Sequence, residues 1–367
     1  MDLKPELIAT IDELSALTDR VQQHTSNRLL FLIGTFDYTL PDRLMNECRR
    51  VFGAATQQHT LDVLLVSPGG LIDPAYIGVL VLRQYAETLR VLIPREAKSA
   101  ATLFALGADS ILMARTGHLG PLDAQVVDPR NHAVMMSALD GYQSVEYIRN
   151  YALETQHVVV RSTLDRTDAR IPLSDILSHA ECFVDKIVSP ILAQVRPLDF
   201  GGWGRTLDIG KAYAKRLLER YGSQSACFAE QIAYNLVYRY PYHGFIIDLE
   251  EAMQLRLDVE PMDVCLADHL TSLVSLAKRL TRETSIGGSV TTEPGYVGFW
   301  PPEDLEQARE LRVFQRPSVD VEDESTDQHE VAQREAAATQ YPDDASGLLP
   351  ASQNSEEGVK DGVSGAR

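Results

Sequence analysis

The stretch LDVLLVSPGGLIDPAYIGVLVLRQYA, residues 61–86, predicts a buried strand, a sharp turn and a helix in direct succession. Its first part is a short apolar run, which is typical of a strand covered on both faces of a sheet. Gly69 and Gly70 then permit backbone conformations that other residues rarely adopt. Asp73 and Pro74 favour the cap and the first turn of the helix that follows.

The same alternation of strand and helix signals continues on both sides of this stretch. Further short apolar runs cover residues 28–34, 89–94 and 110–114, and helical patterns cover residues 40–55 and the segment that follows Ser99. Strands that recur every roughly 25–30 residues with helices between them pair in parallel through right-handed crossovers. The sequence therefore predicts an α/β domain.

The flanking segments differ in character from this core. In residues 1–27, apolar side chains at three- and four-residue steps predict an amphipathic helix that packs on the body of the protein. Residues 140–280 are predicted to be mostly helical, with a loop at the glycine-rich DFGGWG of residues 199–204. We predict a main domain over residues 28–280, an irregular extension over 281–315 and a disordered acidic tail over 316–367.

Composition and charge argue against several classes of function. The net charge of −18 disfavours binding to nucleic acid, whose phosphates would be repelled. No apolar run approaches the ~18 residues of a membrane helix, and the N-terminus does not resemble a signal peptide. The four cysteines form no CxxC pair, so we expect neither a metal site nor a disulfide framework. We predict a cytoplasmic protein without an integral membrane segment, and peripheral membrane association stays open.

Two local motifs could carry chemistry. Ser67-Pro68-Gly69-Gly70 ends a predicted strand, where it could supply backbone N–H donors to an oxyanion or simply make a turn. Lys98-Ser99-Ala100-Ala101-Thr102 begins a helix after the next strand. Ser99 there could be a nucleophile or an ordinary helix cap.

In combination, these motifs resemble a known family. The segments SPGGLIDPAYIGVLVLR, VLIPREAKSAATLFALGADSILM and GHLGPLDAQV, with the later YHGFIIDLEEAMQLRLDVE, are similar to the serine dehydrogenase proteinases. These are Clp-fold serine proteinases, related to the SppA signal peptide peptidases within the ClpP/crotonase superfamily. The resemblance spans roughly residues 28–260 and implies a core of repeated β-β-α units with additional C-terminal helices.

The resemblance also implies an activity and a set of site residues. The expected reaction is hydrolysis of a polypeptide substrate by a serine endopeptidase that needs no cofactor and forms a homo-oligomer. Ser99 would be the nucleophile, and the N–H groups of Gly69 and Gly70 would form the oxyanion hole. Ala100 stands where relatives tend to have glycine, and its methyl group could narrow the space for a substrate backbone.

The general base is left open. Asp123 lies close to where a Clp-type protease carries its catalytic histidine, so that triad cannot be transferred intact. SppA-like enzymes use a lysine, yet no lysine lies between Lys98 and Lys186. The candidates for the base or for a group that orients it are Lys98, His118 and Asp123, with Lys186, Lys211 and His243 as more distant options.

Two rival functions are compatible with the same residues. The first is a crotonase-like enzyme of acyl thioesters, which would use the same oxyanion hole with Asp123 as its carboxylate base. The second is a catalytically degenerate scaffold or adaptor, a reading favoured by Ala100-Ala101 and by the missing lysine of the SppA dyad.

Overall fold

The computed structural model describes residues 5–53, 59–129, 131–168, 170–223, 225–284 and 296–299. The predicted disordered tail over residues 316–367 lies outside the described residues, and so does most of the predicted irregular extension. Among the described helices, none combines the length and apolar character that crossing a bilayer requires.

The first half of the chain alternates strands with helices, and the second half is mainly helical. In order, the elements are α1 (Pro5–Thr25), β1 (Arg28–Ile33), α2 (Leu40–Phe52), β2 (His59–Val66), α3 (Ile72–Leu82), β3 (Ala86–Ile93), β4 (Glu96–Ala97), α4 (Ala100–Ala105), β5 (Ser110–Met113), β6 (His118–Leu119), β7 (Gln125–Asp128) and β8 (Asn131–Ser137). They continue with α5 (Ala138–Thr167), α6 (Leu173–Leu192), α7 (Pro197–Tyr221), α8 (Ala226–Tyr238), α9 (Leu249–Gln254), β9 (Val259–Pro261), α10 (Val264–Thr284) and β10 (Tyr296–Phe299).

The main sheet has the strand order β10-β1-β2-β3-β5-β9. All its neighbouring strands pair in parallel except β10, which runs antiparallel to β1. The four apolar runs of the first half of the chain form the four central strands. The predicted α/β class, with a largely parallel sheet and additional C-terminal helices, is therefore confirmed.

The sheet is buried on both faces because its strands carry apolar side chains at successive positions. In β1, Leu30 and Leu32 belong to a core that includes residues of α2, α3 and α4. Leu29 and Phe31 belong to a second core that includes residues of α1 and α10. Helix α1 packs its apolar stripe into that second core, as the amphipathic pattern predicted.

Two local predictions were wrong. Helix α3 begins at Ile72 with Leu71 at the cap position, so Asp73 lies in the first turn and does not cap the helix. The DFGGWG segment is part of α7 and not a loop, because that helix already begins at Pro197. A Cβ on Gly141 of α5 would meet the Trp203 ring at 2.7 Å, so glycine at that position allows α5 and α7 to approach closely.

The parallel arrangement brings the polar motifs to one edge of the sheet. The turn at Ser67 follows β2, Ser99 follows β3 and the short β4, and the segment from His118 follows β5. Since the carboxyl ends of parallel strands share an edge, where open α/β sheets usually bind their ligands, these three segments are neighbours.

Candidate active site

The glycine turn after β2 is held against the segment that contains Phe36. Phe36 donates its N–H to the carbonyl of Gly69 at 2.8 Å, and Leu71 donates to the carbonyl of Phe36 at 2.9 Å. Gly70 has a φ of +136°, and a Cβ there would lie 2.2 Å from the carbonyl oxygen of Phe36. Only glycine fits this turn, because it tolerates both the left-handed φ and the close backbone contact.

Gly69 lies directly beside Ser99. Its φ is +108°, and a Cβ at this position would lie 2.8 Å from both Ser99 Cβ and the Lys98 carbonyl oxygen. The same Cβ would be 3.3 Å from the amide nitrogen of Ala100. Glycine at position 69 therefore allows this turn to approach the backbone around Ser99 closely.

The two glycines differ in the state of their N–H groups. Gly69 is buried, and its N–H donates to the hydroxyl oxygen of Ser67 at 3.0 Å. Gly70 is exposed, and among the described residues its N–H has no acceptor. The amide of Ala100 is likewise without an acceptor in the described part of the chain, as is usual for the first N–H groups of a helix.

Ser99 occupies a strained turn and does not use its side chain as a cap. It stands at the N-cap position of α4 with a φ of +51° and a ψ of −119°, and its hydroxyl makes no capping hydrogen bond. A left-handed φ in a non-glycine residue costs on the order of 1–3 kcal/mol and is concentrated at functional sites. A strained strand-to-helix turn also exposes the nucleophilic serine of α/β-hydrolases.

The segment that contains Asp123 is attached to the start of α4 through Thr102. The Thr102 hydroxyl accepts the N–H of Gly120 at 3.0 Å and lies within 2.7 Å of the Ala97 carbonyl oxygen. A Cβ on Gly120 would be 3.1 Å from Lys98 Cβ, so the two backbones are in close contact. These contacts hold the residues around Asp123 next to the Ser99 turn.

Asp123 is 1% exposed and holds His243. The ring Nδ1 of His243 lies 3.0 Å from Asp123 Oδ1 and 2.9 Å from the Asp123 carbonyl oxygen. Both partners are acceptors, so Nδ1 carries the hydrogen and neutral His243 has its lone pair on Nε2. The other carboxylate oxygen, Oδ2, accepts the hydroxyl of Ser137 at 2.7 Å.

The pKa of His243 is influenced by residues of two neighbouring segments, the one that contains Asp123 and the one that contains Lys98. The hydrogen bond to Asp123 is the largest influence and raises the pKa of His243 above its ordinary value. Partial burial and the positive charge of Lys98 oppose this increase in the pKa. His243 is therefore close enough to Lys98, the residue before Ser99, for the charge of Lys98 to affect its pKa.

The other sequence candidates have different surroundings. The Lys98 ammonium lies 4.0 Å from Glu96 Oε2. His118 is in β6 beside Glu96 of β4, and its Nδ1 lies 3.3 Å from the Thr116 carbonyl oxygen. Lys186 is exposed on α6, and Lys211 on α7 is paired with Glu230 at 3.6 Å. Within the described residues, no hydrogen bond or ion pair connects these four side chains with Asp123.

From the sequence alone His243 was a more distant option, because a histidine before Gly244 could simply hold a turn; the structure pairs it with Asp123, 120 positions earlier. The available signal was its position before Gly244, within the last segment of the family resemblance. Within the described residues, no group of three or more His, Cys, Asp or Glu side chains is arranged to hold a metal ion.

Two curated relatives are proteins of Methanocaldococcus jannaschii. The uncharacterized protein MJ0137 is 36% identical over 80 residues, which make up 22% of this chain and 28% of that protein. The uncharacterized protein MJ1495 is 31% identical over 80 residues, which make up 22% of this chain and 27% of that protein. The chain thus spans less than a third of the length of these relatives.

Three solved structures resemble the chain at TM-scores of 0.33–0.36. One is a mutant of the 1510-N membrane-bound stomatin-specific protease, 14% identical, with 68% of this chain and 83% of that chain covered, at a TM-score of 0.36. A second mutant of that protease, in complex with a substrate peptide, is 15% identical with 65% and 75% covered and a TM-score of 0.36. A ClpP1 mutant from Listeria monocytogenes is 11% identical with 68% and 99% covered and a TM-score of 0.33.

The family match falls on the part of the chain that carries the turn and the serine. Residues 33–145 match the family of ClpP-like SDH-type serine proteinases. This range contains Gly69, Gly70, Ser99 and Asp123, whereas His243 lies beyond its end. The resemblance inferred from the sequence motifs is therefore confirmed, and residues 33–145 are the segment that matches the ClpP-like SDH-type serine proteinases.

Proposed function

We propose that this protein hydrolyses peptide bonds with Ser99 as nucleophile, His243 as general base and Asp123 as the carboxylate that orients the imidazole. The observation that carries the proposal is the hydrogen bond between His243 and Asp123. It holds a histidine of the required tautomer against Asp123, and Thr102 fastens the segment that contains Asp123 to the Ser99 turn. A polypeptide is the proposed substrate class because residues 33–145 match a family of proteinases.

The proposed reaction follows the two halves of acyl transfer. Ser99 Oγ attacks the carbonyl carbon while Nε2 of His243 takes the hydroxyl proton. The tetrahedral intermediate then collapses, the peptide C–N bond breaks, and the imidazolium returns the proton to the leaving amine. Water then attacks the Ser99 ester with His243 again as base, the bond between Ser99 Oγ and the acyl carbon breaks, and the imidazolium returns the proton to Ser99 Oγ as the acid product leaves.

The proposed oxyanion donors are the N–H groups of Gly70 and Ala100. Both groups lack an acceptor among the described residues, and they belong to the two turns that meet at the close contact between Gly69 and Ser99. Gly69 was also predicted to be a donor, and that prediction stays untested. Its N–H is occupied by Ser67, so the proposed role of Gly69 is to let its turn approach the Ser99 backbone closely.

The methyl group of Ala100 is compatible with activity. Ala100 is 2% exposed and belongs to the core cluster between the sheet and its helices. Its side chain is therefore packed in the interior and is kept away from a substrate backbone in front of Ser99. The concern raised by the missing glycine is reduced accordingly.

The two rival functions are less well supported. A crotonase-like enzyme would need Asp123 as a free base, but this carboxylate is 1% exposed and is bonded through both oxygens. A scaffold without activity would have no need for the strained turn at Ser99 or for the oriented imidazole of His243. Homo-oligomer formation and a cytoplasmic location remain part of the proposal, and the native mass in solution tests the former.

A fluorophosphonate probe tests the proposal, because it reacts with a serine whose proton is removed by a neighbouring base. We expect wild-type protein to be labelled, Ser99→Ala to be unlabelled, and His243→Gln to react on the order of 10²–10⁴ times more slowly. His118→Gln is the matched control and should react like wild type. Full labelling of Ser99→Ala, or a loss of labelling confined to His118→Gln, would overturn the assignment.

A further inference from the structure

We propose that a tyrosine-lined cavity next to the His243–Asp123 pair receives a bulky aromatic side chain of the polypeptide substrate, an inference that rests on the proposed function. The cavity has a volume of about 520 Å³. We call it the tyrosine cavity, and its lining includes Tyr142, Glu146, Tyr147, Lys211, Tyr234 and Tyr238. A cavity of this size is within the range of ordinary ligand pockets.

The helices that form the tyrosine cavity are attached to the Asp123 segment. Helix α5 begins directly after Ser137, whose hydroxyl donates to Asp123, and Tyr142 follows ~7.5 Å along the helix axis. Helix α8 is joined to the same segment by the hydrogen bond from Leu122 N to Leu236 O at 2.8 Å. Tyr238 ends that helix only five residues before His243. Both helices are therefore connected directly to the segments that hold Asp123 and the proposed base.

The tyrosine rings are arranged as a surface for another ring. Tyr234 and Tyr238 are stacked with centroids 4.9 Å apart, and Tyr142 lies 6.4 Å from Tyr238 at an interplanar angle of 57°. Phe200 stacks on Tyr142 at 5.1 Å and fixes the orientation of that ring. Such offset and tilted pairs are the geometries that aromatic rings prefer, so an aromatic guest gains more here than an aliphatic one.

The charged groups of the cavity already have partners. Glu146 forms an ion pair with Arg149 at 2.6 Å, and the Lys211 ammonium lies 3.6 Å from Glu230 Oε1. The hydroxyl of Tyr238 bonds to Asp208 at 3.3 Å. Because these charges are compensated locally, the cavity offers a guest mainly the faces of its tyrosine rings and the neutral amides of Gln143 and Asn150. We therefore assign it to an aromatic and not to a basic or acidic side chain.

The first test is the cleavage pattern in a peptide mixture, read by mass spectrometry. We expect Phe, Tyr and Trp to be enriched at one fixed position relative to the cut, and the double variant Tyr142→Ala/Tyr234→Ala to lower this enrichment roughly tenfold. Tyr142→Phe keeps the ring and should retain the preference. Tyr151→Ala, an exposed tyrosine of α5 that does not line the cavity, is the matched control. Cleavage without aromatic enrichment would overturn the inference.

A binding measurement separates this inference from the proposed function. The Ser99→Ala protein is titrated with the blocked peptides Ala-Ala-Phe-Ala-Ala and Ala-Ala-Ala-Ala-Ala. We expect roughly tenfold tighter binding of the first peptide, and loss of this difference when both cavity tyrosines are replaced. Equal affinity for the two peptides overturns the role of the cavity. The two proposals can also fail separately. If the Ser99→Ala protein binds the phenylalanine peptide more tightly but the wild-type protein neither cleaves peptides nor reacts with fluorophosphonate, the role of the cavity is supported and only the proposed function is overturned.

Discussion

Nδ1 of His243 lies 3.0 Å from Oδ1 of Asp123, although the two residues are 120 positions apart in the chain. The carbonyl oxygen of Asp123 accepts from the same nitrogen at 2.9 Å. This pairing holds the ring in one tautomer and directs its basic nitrogen away from the buried carboxylate. Because of this pairing we propose His243 as the general base, although the sequence around it does not by itself indicate that role.

Replacement of Asp123 by asparagine should disable the base without removing His243. The carboxylate accepts from His243 through Oδ1 and from Ser137 through Oδ2, whereas an asparagine amide would place an NH2 donor at one of these two positions. We expect the rate of fluorophosphonate labelling to fall by on the order of 10²–10⁴. Asp140→Asn, an exposed acid in the first turn of α5, should label normally. A wild-type rate for Asp123→Asn would contradict an orienting role.

The pH profile should report the raised pKa of His243. Only neutral His243 can accept the Ser99 proton, so the labelling rate should rise with pH, with a midpoint above the ordinary histidine pKa of about 6.5. Lys98 lowers the pKa of His243, so Lys98→Met should raise that pKa and move the midpoint to higher pH. The rates are measured from pH 5 to pH 9 in both proteins. A midpoint that moves to lower pH in Lys98→Met would contradict the assignment.

Gly69→Ala should harm both stability and labelling. The added Cβ would lie 2.8 Å from Ser99 Cβ and from the Lys98 carbonyl oxygen, at a φ of +108°. We expect the free energy of unfolding to fall by about 1–3 kcal/mol, with loss of labelling. Gly53→Ala is the matched control, because Gly53 also has a positive φ of +66° but no atom of the described residues within 4 Å of an added Cβ. Thermal unfolding and labelling rates of both variants, measured together, separate the steric conflict from the backbone strain. Equal effects of the two substitutions would argue against the close approach of Gly69 to Ser99.

The strands and turns that form the site could be predicted from the sequence, because local residue patterns encode them. Short apolar runs marked the four central strands, and the alternation of strands with helices implied that these strands pair in parallel. The role of Ser99 as a helix cap was the competing interpretation. Its φ of +51° and the absence of a capping hydrogen bond argue against that alternative.

The rest of the site depends on contacts between distant segments, which spacing along the chain does not encode. The partner of Asp123 could not be chosen among His118, His243 and the lysines without the positions of α8 and its following loop. The hydrogen bond from Gly69 to Ser67 was equally hidden, since it depends on the conformation of the turn itself. The helical state of DFGGWG was missed because glycine content outweighed the helix-starting Pro197 in the local prediction.

The most direct test of the central claim is to locate the fluorophosphonate adduct by mass spectrometry of the digested, labelled protein. We expect an adduct on Ser99 in the wild-type protein and no adduct at that position in His243→Gln under the same brief exposure. An adduct on another serine, or an unchanged yield at Ser99 in His243→Gln, would contradict the claim.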